Sequence, residues 1–274
     1  MPPEKLKILI IAKAFPPQNA IGAHRPYSWA KYWYRAGHDV TVLTVPKILG
    51  PQDLLRFADG FRVIEIPIPL WNNLLTIFSS KSHSTPASPS DSVNTKRDIF
   101  KSIKDMAYRT MVTFLNRYGI FSGCRMPDVT DLWGHVAFQA VRHQQWDLVV
   151  STAWPYGVHR PAYRLKKTGM AKYWITDWRD LWTDNHMYPG LPGFRSIEKM
   201  LEKRWSSAAD AITTVSNPLA EILRKKYGDK VHVIYNGFDA EEYQNLPKTN
   251  IFPADHMFRI VYTGSIYKGQ RDPS

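Results

Sequence analysis

The sequence predicts an α/β fold, namely a Rossmann-like, doubly wound parallel sheet, and three observations support this. Short apolar runs rich in β-branched residues alternate with longer amphipathic segments, and the connections between them are short. The chain opens with one such run and its loop, residues 7–22, and a similar run closed by glycine occurs near its end, residues 258–264. We therefore expect one domain in residues 1–250 and only the first strand of a second Rossmann-like domain in residues 251–274.

The N-terminal part of the chain predicts three strands and one helix. Residues 7–12 are an apolar strand, and a helix from Arg25 to Ala36 follows, with Gly37 placed to end it. Residues 39–45 and 61–66 carry the β-branched runs of two further strands.

A linker and a basic amphipathic helix come next. Residues 79–96 are dominated by Ser, Thr, Pro and Asp, which bury too little apolar surface to offset the entropy of ordering, so we expect a mobile linker there. In residues 100–118, apolar side chains recur at helical spacing, and Lys101, Arg109 and Arg117 lie off that stripe. Such a helix either contacts an anionic bilayer or is a surface helix whose apolar side faces the core.

Alternation of helices and strands then continues to residue 235. We expect helices at 131–143, 156–167, 196–209 and 217–228, and strands at 147–151, 172–176, 211–215 and 231–235. The periodicity of residues 196–209 predicts a core-facing side made of Ile197, Met200, Leu201, Trp205 and Ala208.

The composition narrows the class of protein. The 274 residues carry a net charge of +12 and a single cysteine, Cys124, which forms no internal disulfide and fits a reducing compartment. The apolar run near the N-terminus is too short for a signal peptide or a membrane span. We expect a cytoplasmic protein, either free or at the inner face of the membrane, and the charge allows nucleic acid, an anionic membrane face or a phosphorylated substrate as partner.

The densest group of candidate catalytic residues follows the fifth strand. Ligands of parallel sheets bind beyond the carboxyl ends of the strands, and Asp177, Arg179 and Asp180 are expected there. A carboxylate beside an arginine stays ionised and acts as a base or holds a sugar hydroxyl, and the guanidinium binds phosphate in a forked geometry. A structural Arg–Asp pair that fixes the loop is the alternative.

Two other loops at the same edge supply candidate binding residues. After the first strand, Gly22 and Arg25 are placed to hold an anion at a helix N-terminus, or form a plain connection. The absence of G-x-G-x-x-G argues against a dehydrogenase. The aromatic residues near the fourth and fifth strands offer faces for a sugar ring, although a helix cap with a buried Trp is the alternative. The candidate acceptor-binding residues are Trp154, Tyr156, His159 and Trp182.

No spacing in the sequence is typical of a metal site or of a hydrolase nucleophile. The chain contains no H-E-x-x-H, no paired cysteines and no G-x-S-x-G, so we expect neither metal nor cofactor. The tryptophans are spread through predicted core helices and not arrayed on one strand platform, so we do not expect nucleic-acid binding.

An ordered set of motifs resembles the bacterial glycosyltransferases of family four, which have the GT-B architecture. The likeness covers nearly the whole chain outside residues 79–96. The motifs are Lys7-Ile-Leu-Ile-Ile, Phe15-Pro-Pro, Gly22, Arg25-Pro, Gly37-His-Asp-Val-Thr-Val-Leu-Thr, Asp147-Leu-Val-Val-Ser-Thr, Trp154-Pro, Asp177-Trp-Arg-Asp-Leu-Trp-Thr-Asp, Ala209-Asp-Ala-Ile-Thr-Thr-Val-Ser and Val233-Ile-Tyr-Asn-Gly-Phe-Asp.

The resemblance implies two Rossmann-like domains across a cleft, the first for an acceptor and the second for a nucleotide-sugar donor. It also implies metal-independent transfer with retention, in which arginine, lysine and a helix dipole stabilise the leaving diphosphate. The acceptor would be a glycan or a lipid-linked intermediate in polysaccharide biosynthesis.

The donor side of this resemblance falls at the end of the chain. The family's diphosphate clamp corresponds to the stretch with Gly264, Lys268 and Arg271, and Ser265 stands where many members have arginine. The rest of the donor pocket lies beyond this stretch in the family, so we expect the chain alone to be inactive. The alternatives are a non-enzymatic binding module or remnant, and a basic nucleic-acid-binding protein.

Overall fold

The computed structural model describes residues 4–18, 20–46, 60–69, 95–244, 252 and 255–262. The predicted linker, residues 79–96, lies outside the described residues except for its last two positions, which begin a helix. By compactness the chain divides into two units, residues 1–237 and residues 238–274.

The first unit is built on a parallel sheet, as predicted. Its seven described strands have the order β3-β2-β1-β4-β5-β6-β7, and every neighbouring pair is parallel. The strands are β1 (Lys7–Ile11), β2 (Asp39–Thr44), β3 (Arg62–Glu65), β4 (Trp146–Ala153), β5 (Ala171–Trp178), β6 (Ala211–Thr214) and β7 (Val231–Val233).

Helices follow most of the strands. The described helices are α1 (Ile21–Arg35), α2 (Thr95–Tyr118), α3 (Thr130–Val141), α4 (His159–Lys167), α5 (Pro192–Ala208) and α6 (Asn217–Tyr227). Short 3-10 turns occur at Tyr156–Val158, Gly228–Lys230 and Ala240–Tyr243. None of the helices in the described part of the chain is long and apolar enough to cross a bilayer.

Both faces of the sheet are covered, because successive side chains of a strand point to opposite sides. In β1, Leu9 and Ile11 belong to a large core cluster, and Ile8 and Ile10 belong to a second, separate one. The large cluster contains four fully buried tryptophans, namely Trp133, Trp146, Trp174 and Trp205. The two cores confirm the predicted doubly wound arrangement.

Two predicted elements differ from the structure. Helix α1 begins at Ile21, four residues before the predicted start at Arg25, so Pro26 lies inside the helix. Strand β5 extends to Trp178, two residues past the predicted end, because it continues its pairing with β4 and β6. Asp177 is therefore a strand residue and not a loop residue.

The predicted core face of residues 196–209 is partly wrong. In helix α5, Ile197 and Met200 are exposed, whereas Glu198 and Glu202 are buried beside Trp205. Hydrophobic periodicity misplaces this face because the two glutamates find buried partners on other elements.

The second unit contains no strand among its described residues. Residues 257–262 form no ladder hydrogen bonds, and Phe258 and Ile260 are 90% and 87% exposed. The predicted strand at 258–264 is thus absent over its described part, since a strand is stabilised by a neighbouring strand. Arg259 pairs with Asp255 four residues earlier in the chain.

Candidate functional site

The carboxyl ends of β1, β4 and β5 bring the predicted site residues together. The strand order reverses direction between β1 and β4, and such a switch point opens a crevice outside the sheet. Strand β5 lies next to β4 and carries Asp177 near its end. These strand ends therefore form the candidate site.

Asp177 is fully buried and all of its acceptor positions are occupied. Its Oδ1 accepts hydrogen bonds from Arg25 Nη2 at 2.9 Å and from Thr213 Oγ1 at 2.7 Å. Its Oδ2 accepts from Arg25 Nε at 3.1 Å and from Thr152 Oγ1 at 2.7 Å. Thr152 and Thr213 are its register partners on β4 and β6. The carboxylate is saturated and out of contact with solvent, so Asp177 positions its neighbours and does not fit the predicted catalytic role.

The nitrogens of Arg25, like the oxygens of Asp177, all bind groups inside the protein. Two of its nitrogens bind Asp177, and Nη1 donates to the carbonyls of Ile234 and Tyr235 at 2.8 and 3.2 Å and to Asn236 Oδ1 at 3.3 Å. Its guanidinium also lies 4.8 Å from the ring centroid of Trp29. Arg25 thus joins helix α1, strand β5 and the segment after β7. The predicted contact between Arg25 and a diphosphate needs donors that are already used here.

Arg179 connects the loop after β1 with the end of β4. Its Nη1 donates to the Gly22 carbonyl at 3.0 Å, and its Nε donates to the Ala153 carbonyl. Pro26 has no N–H to bind the Gly22 carbonyl one turn earlier, so Arg179 supplies the missing donor inside helix α1. A Cβ on Gly22 would lie 2.8 Å from Arg179 Nη1, so a larger residue there would displace this guanidinium.

The surroundings of Arg179 disfavour its charged form. Burial lowers the pKa of its guanidinium below the ordinary value, and the nearby carboxylates of Asp177 and Asp180 partly oppose this shift. Arginine still remains protonated in proteins, because its ordinary pKa is far above neutrality. Arg179 is a fixed positive group just inside the edge of the sheet.

The predicted acceptor-binding aromatics form a packed stack below the edge. Tyr156 and Trp182 stack with ring centroids 4.3 Å apart, and Trp182 and Trp205 stack at 5.4 Å. Tyr156 donates its hydroxyl to Asp131 Oδ2 at 2.8 Å, and burial raises its pKa well above the ordinary range. Both Tyr156 and Trp182 are almost fully buried, so their faces serve the core and only their edges line a crevice.

His159 lies deeper and does not reach the crevice. It is fully buried, its Nδ1 hydrogen-bonds Ser151 Oγ at 2.8 Å, and its ring centroid lies 4.2 Å from that of Trp178. Burial lowers the pKa of His159 to about 3, so the ring is neutral at physiological pH. His159 is therefore a core residue, and the predicted contact with an acceptor does not fit its position.

A narrow crevice remains at this edge, and Asp180 is its one charged lining residue. The crevice has a free volume of about 30 Å³, room for one or two water-sized groups and not for a whole sugar ring. Asp180 is exposed and has no hydrogen-bond partner among the described residues. The lining consists of Gly123, Cys124, Ala153, Trp154, Tyr156, Trp178, Asp180, Leu181, Trp182 and Asn185.

Unpartnered indole donors surround this crevice. The Nε1 atoms of Trp154, Trp178 and Trp182 are buried and have no hydrogen-bond partner within the described part of the chain. Buried donors are nearly always satisfied by protein or water, so these groups favour an oxygen-bearing occupant nearby. The residues that line the crevice thus include three indole N–H donors and one carboxylate acceptor.

Arg125 is a buried framework residue of the site that the sequence analysis did not identify. It is buried and pairs with the buried Glu198 at 2.7 Å. Its Nη1 also donates to the carbonyls of Trp182 and Thr183 at 2.9 and 3.3 Å, and its Nη2 to that of Pro189 at 3.3 Å. These contacts fix the loop that follows Asp180. No local motif marks Arg125, because its partners lie 57 to 64 or more residues away in sequence.

The donor-side candidates Gly264, Lys268 and Arg271 lie outside the described residues. Within the described part of the chain, no group of three or more His, Cys, Asp or Glu side chains could hold a metal ion.

Comparison with known proteins gives one family. Residues 116–242 match the family model described as Glycosyltransferase Family 4. This segment contains β4, β5, β6 and β7 together with the entire crevice lining. No curated protein matches the chain.

Several solved structures are also similar. One of them is a glycosyltransferase from Rickettsia africae ESF-5, with 17% sequence identity and a TM-score of 0.41, and the match covers 89% of this chain and 47% of that chain. The chain thus spans about half the length of that solved protein. Residues 116–242 of this chain are thus similar to Glycosyltransferase Family 4.

Proposed function

We propose that the chain is the acceptor-binding part of a retaining, metal-independent glycosyltransferase. The whole enzyme would transfer a sugar from a nucleotide-sugar to a glycan or lipid-linked acceptor, in polysaccharide biosynthesis at the cytoplasmic side of the membrane. No cofactor is needed in this scheme, since the nucleotide-sugar is the donor substrate.

One observation carries the proposal for the acceptor side. The exposed carboxylate of Asp180 lies at the mouth of a crevice with buried indole donors, inside the segment that matches the family model. A carboxylate accepts a hydrogen bond from a sugar hydroxyl, and indole N–H groups donate to sugar oxygens. Because the crevice admits only a small group, one exocyclic hydroxyl would enter and the ring would lie over the half-buried Trp154.

The framework around Asp180 supports orientation of the acceptor. Arg179 is held between Ala153 and Gly22, and Arg125 holds the following loop. Fixed groups of this kind lower the entropic cost of placing a hydroxyl for reaction. On the donor side, we propose Lys268 and Arg271 for the diphosphate, with Gly264 allowing close approach, and we withdraw Arg25 from that role.

Titration with saccharides tests the acceptor assignment. Oligosaccharides should change the tryptophan fluorescence of the chain saturably, because Trp154, Trp178 and Trp182 line the crevice. Asp180→Asn should weaken this binding about tenfold, because a sugar hydroxyl bonds a neutral amide oxygen less strongly than a carboxylate. The matched control is Asp229→Asn, which alters an exposed carboxylate in the 3-10 turn after α6.

A turnover assay tests whether the complete donor site lies outside this chain. We expect no measurable hydrolysis of any nucleotide-sugar in a broad panel by this chain alone. Ordinary turnover by the chain would refute the assignment of the donor site to another part of the enzyme. Equal saccharide binding by the Asp180 variant and its control would refute the assignment of the acceptor site.

We also propose that helix α2 contacts an anionic bilayer. Its exposed Met106, Met111 and Phe114 line an apolar groove, and Arg109 and Arg117 are exposed on the same helix. Apolar side chains flanked by cations suit the interface of an anionic membrane.

Sedimentation with lipid vesicles tests this contact. The chain should bind vesicles that contain phosphatidylglycerol and not those of phosphatidylcholine alone. The double variant Met111→Asp with Phe114→Asp should lose binding, and Leu132→Asp, an equally exposed position on α3, should retain it. Equal binding by both variants would contradict the proposal.

A further inference from the structure

In helix α5 the acidic side chains are buried, whereas several basic side chains are exposed. Its two acidic residues, Glu198 and Glu202, point inward and are buried. Glu198 pairs with Arg125, and Glu202 accepts hydrogen bonds from the Thr183 backbone and the Tyr227 hydroxyl. No acidic residue of α5 is left to neutralise the bases on its outer side.

The outer side of α5 carries a column of like charges. Arg195, Lys199 and Lys203 are exposed and are spaced four residues apart, so they lie above one another on one helical face. Like charges at this spacing oppose helix formation. In the described part of the chain, neither Lys199 nor Lys203 forms an ion pair or a hydrogen bond. This arrangement is unfavourable for the free protein and becomes favourable when an anion binds.

Two grooves flank this column and meet at Lys203 and Ser207. The groove between α5 and α6 has a free volume of about 420 Å³, and that between α4 and α5 has about 640 Å³. Both volumes fall in the range of ligand-binding clefts, unlike the crevice at Asp180. The first is lined by Thr183, Asp184, Lys199, Glu202, Lys203, Ser207, Lys226 and Tyr227, and the second by Tyr163, Lys167, Met200, Lys203, Arg204, Ser207 and Ala208.

The charge of this joined surface is positive. Its lining contains five basic side chains and two acidic ones, and both acids, Asp184 and Glu202, already bind Lys226. Among the described residues, the other four bases have no acidic partner, namely Lys167, Lys199, Lys203 and Arg204. Lys199 and Lys203 lie about one helical turn apart, which fits successive negative charges along a chain better than one compact anion.

The apolar and aromatic residues of the grooves favour some classes of anionic ligand over others. Met200 is 56% exposed and gives an open apolar contact. The ring of Tyr163 is covered, since Arg204 lies 5.2 Å from its centroid and Trp174 packs against it. Base stacking, on which single-stranded nucleic acid depends, thus has no open face on Tyr163, and Tyr227 packs against the core with its hydroxyl on Glu202. A chain of sugar rings needs hydroxyl partners and apolar contact, which Ser207 and Met200 supply.

We propose that the two grooves beside Lys203 bind an acidic glycan chain. This surface is lined by residues other than those of the crevice at Asp180, so it would hold an anionic saccharide apart from the reacting group. The saccharide part of the proposal rests on the proposed transferase function, and the polyanion part rests on the grooves alone.

Equilibrium binding of a fluorescent oligogalacturonate tests the proposal, with a neutral maltooligosaccharide as comparison. The double variant Lys199→Glu with Lys203→Glu should bind the oligogalacturonate about tenfold more weakly. Ser207→Trp, which fills the junction of the grooves without changing the charge, should weaken binding similarly. The control Lys5→Glu with Arg142→Glu makes the same change in net charge at exposed positions elsewhere and should change the affinity by less than about twofold.

Three results would overturn the proposal. One is equal weakening in the groove variant and the control, which would show attraction by net charge alone. Another is unchanged binding by Ser207→Trp while its circular dichroism and unfolding midpoint match the parent. The third is tighter binding of an oligouridylate of the same charge. Since no donor or turnover is involved, these outcomes are independent of the transfer test.

Discussion

Replacing Asp177 by Asn is expected to destabilise the first unit by about 3–5 kcal/mol, the cost of breaking a buried ion pair. The carboxylate accepts four hydrogen bonds, two on each oxygen. An asparagine keeps one oxygen and turns an NH₂ group toward two donors, so two bonds are lost. The guanidinium of Arg25 then stays buried without its counter-charge.

Urea unfolding followed by circular dichroism measures this loss. Thr213→Val removes one neutral donor from the same carboxylate and should cost only about 1 kcal/mol. Because Arg25 and Asp177 act as a pair, Arg25→Met combined with Asp177→Asn should cost less than the sum of the single changes by about 2 kcal/mol. A cost below about 1 kcal/mol for Asp177→Asn, or strict additivity in the double variant, would refute the internal pair as the link between α1 and β5.

Three further changes have defined outcomes. Burial lowers the pKa of His159 to about 3, so below pH 6.5 the unfolded state binds more protons than the folded state. The free energy of unfolding should therefore fall by about 2 kcal/mol between pH 6.5 and pH 5, and His159→Phe should remove this difference in urea titrations at the two pH values. Gly190→Ala should cost about 2 kcal/mol more than Gly169→Ala in thermal unfolding, since both have positive φ but only the Gly190 Cβ would meet Arg125; equal costs would contradict the close packing. Burial raises the pKa of the Cys124 thiol to about 12, so a disulfide reagent should modify it about a thousandfold more slowly than an ordinary thiol, and rapid modification of folded protein would count against this.

The architecture was predictable because it depends on local patterns. The β-branched runs and their short connections predict parallel strands, and all seven described strands pair in that way. The boundaries were less accurate, as at Ile21 and Trp178, where helix and strand continue beyond the local signal.

The roles of charged residues depend on distant partners and were not predictable. Asp177 receives its hydrogen bonds from residues 25, 36 and 152 positions away in sequence, so its sequence neighbours gave no sign that it is saturated. The inward turn of Glu198 likewise depends on Arg125. Asp180, by contrast, is exposed in the loop after β5, where the sequence placed it, and its catalytic role stays a prediction.

Hydrogen–deuterium exchange with a bound acceptor saccharide tests the central claim most directly. If the crevice at Asp180 is the acceptor site, amide exchange should slow in residues 121–126 and 178–185, which contribute most of its lining. The Asp180→Ala variant should show no such protection at the same saccharide concentration. Protection confined to other parts of the sheet edge, or equal protection in the variant, would contradict the account.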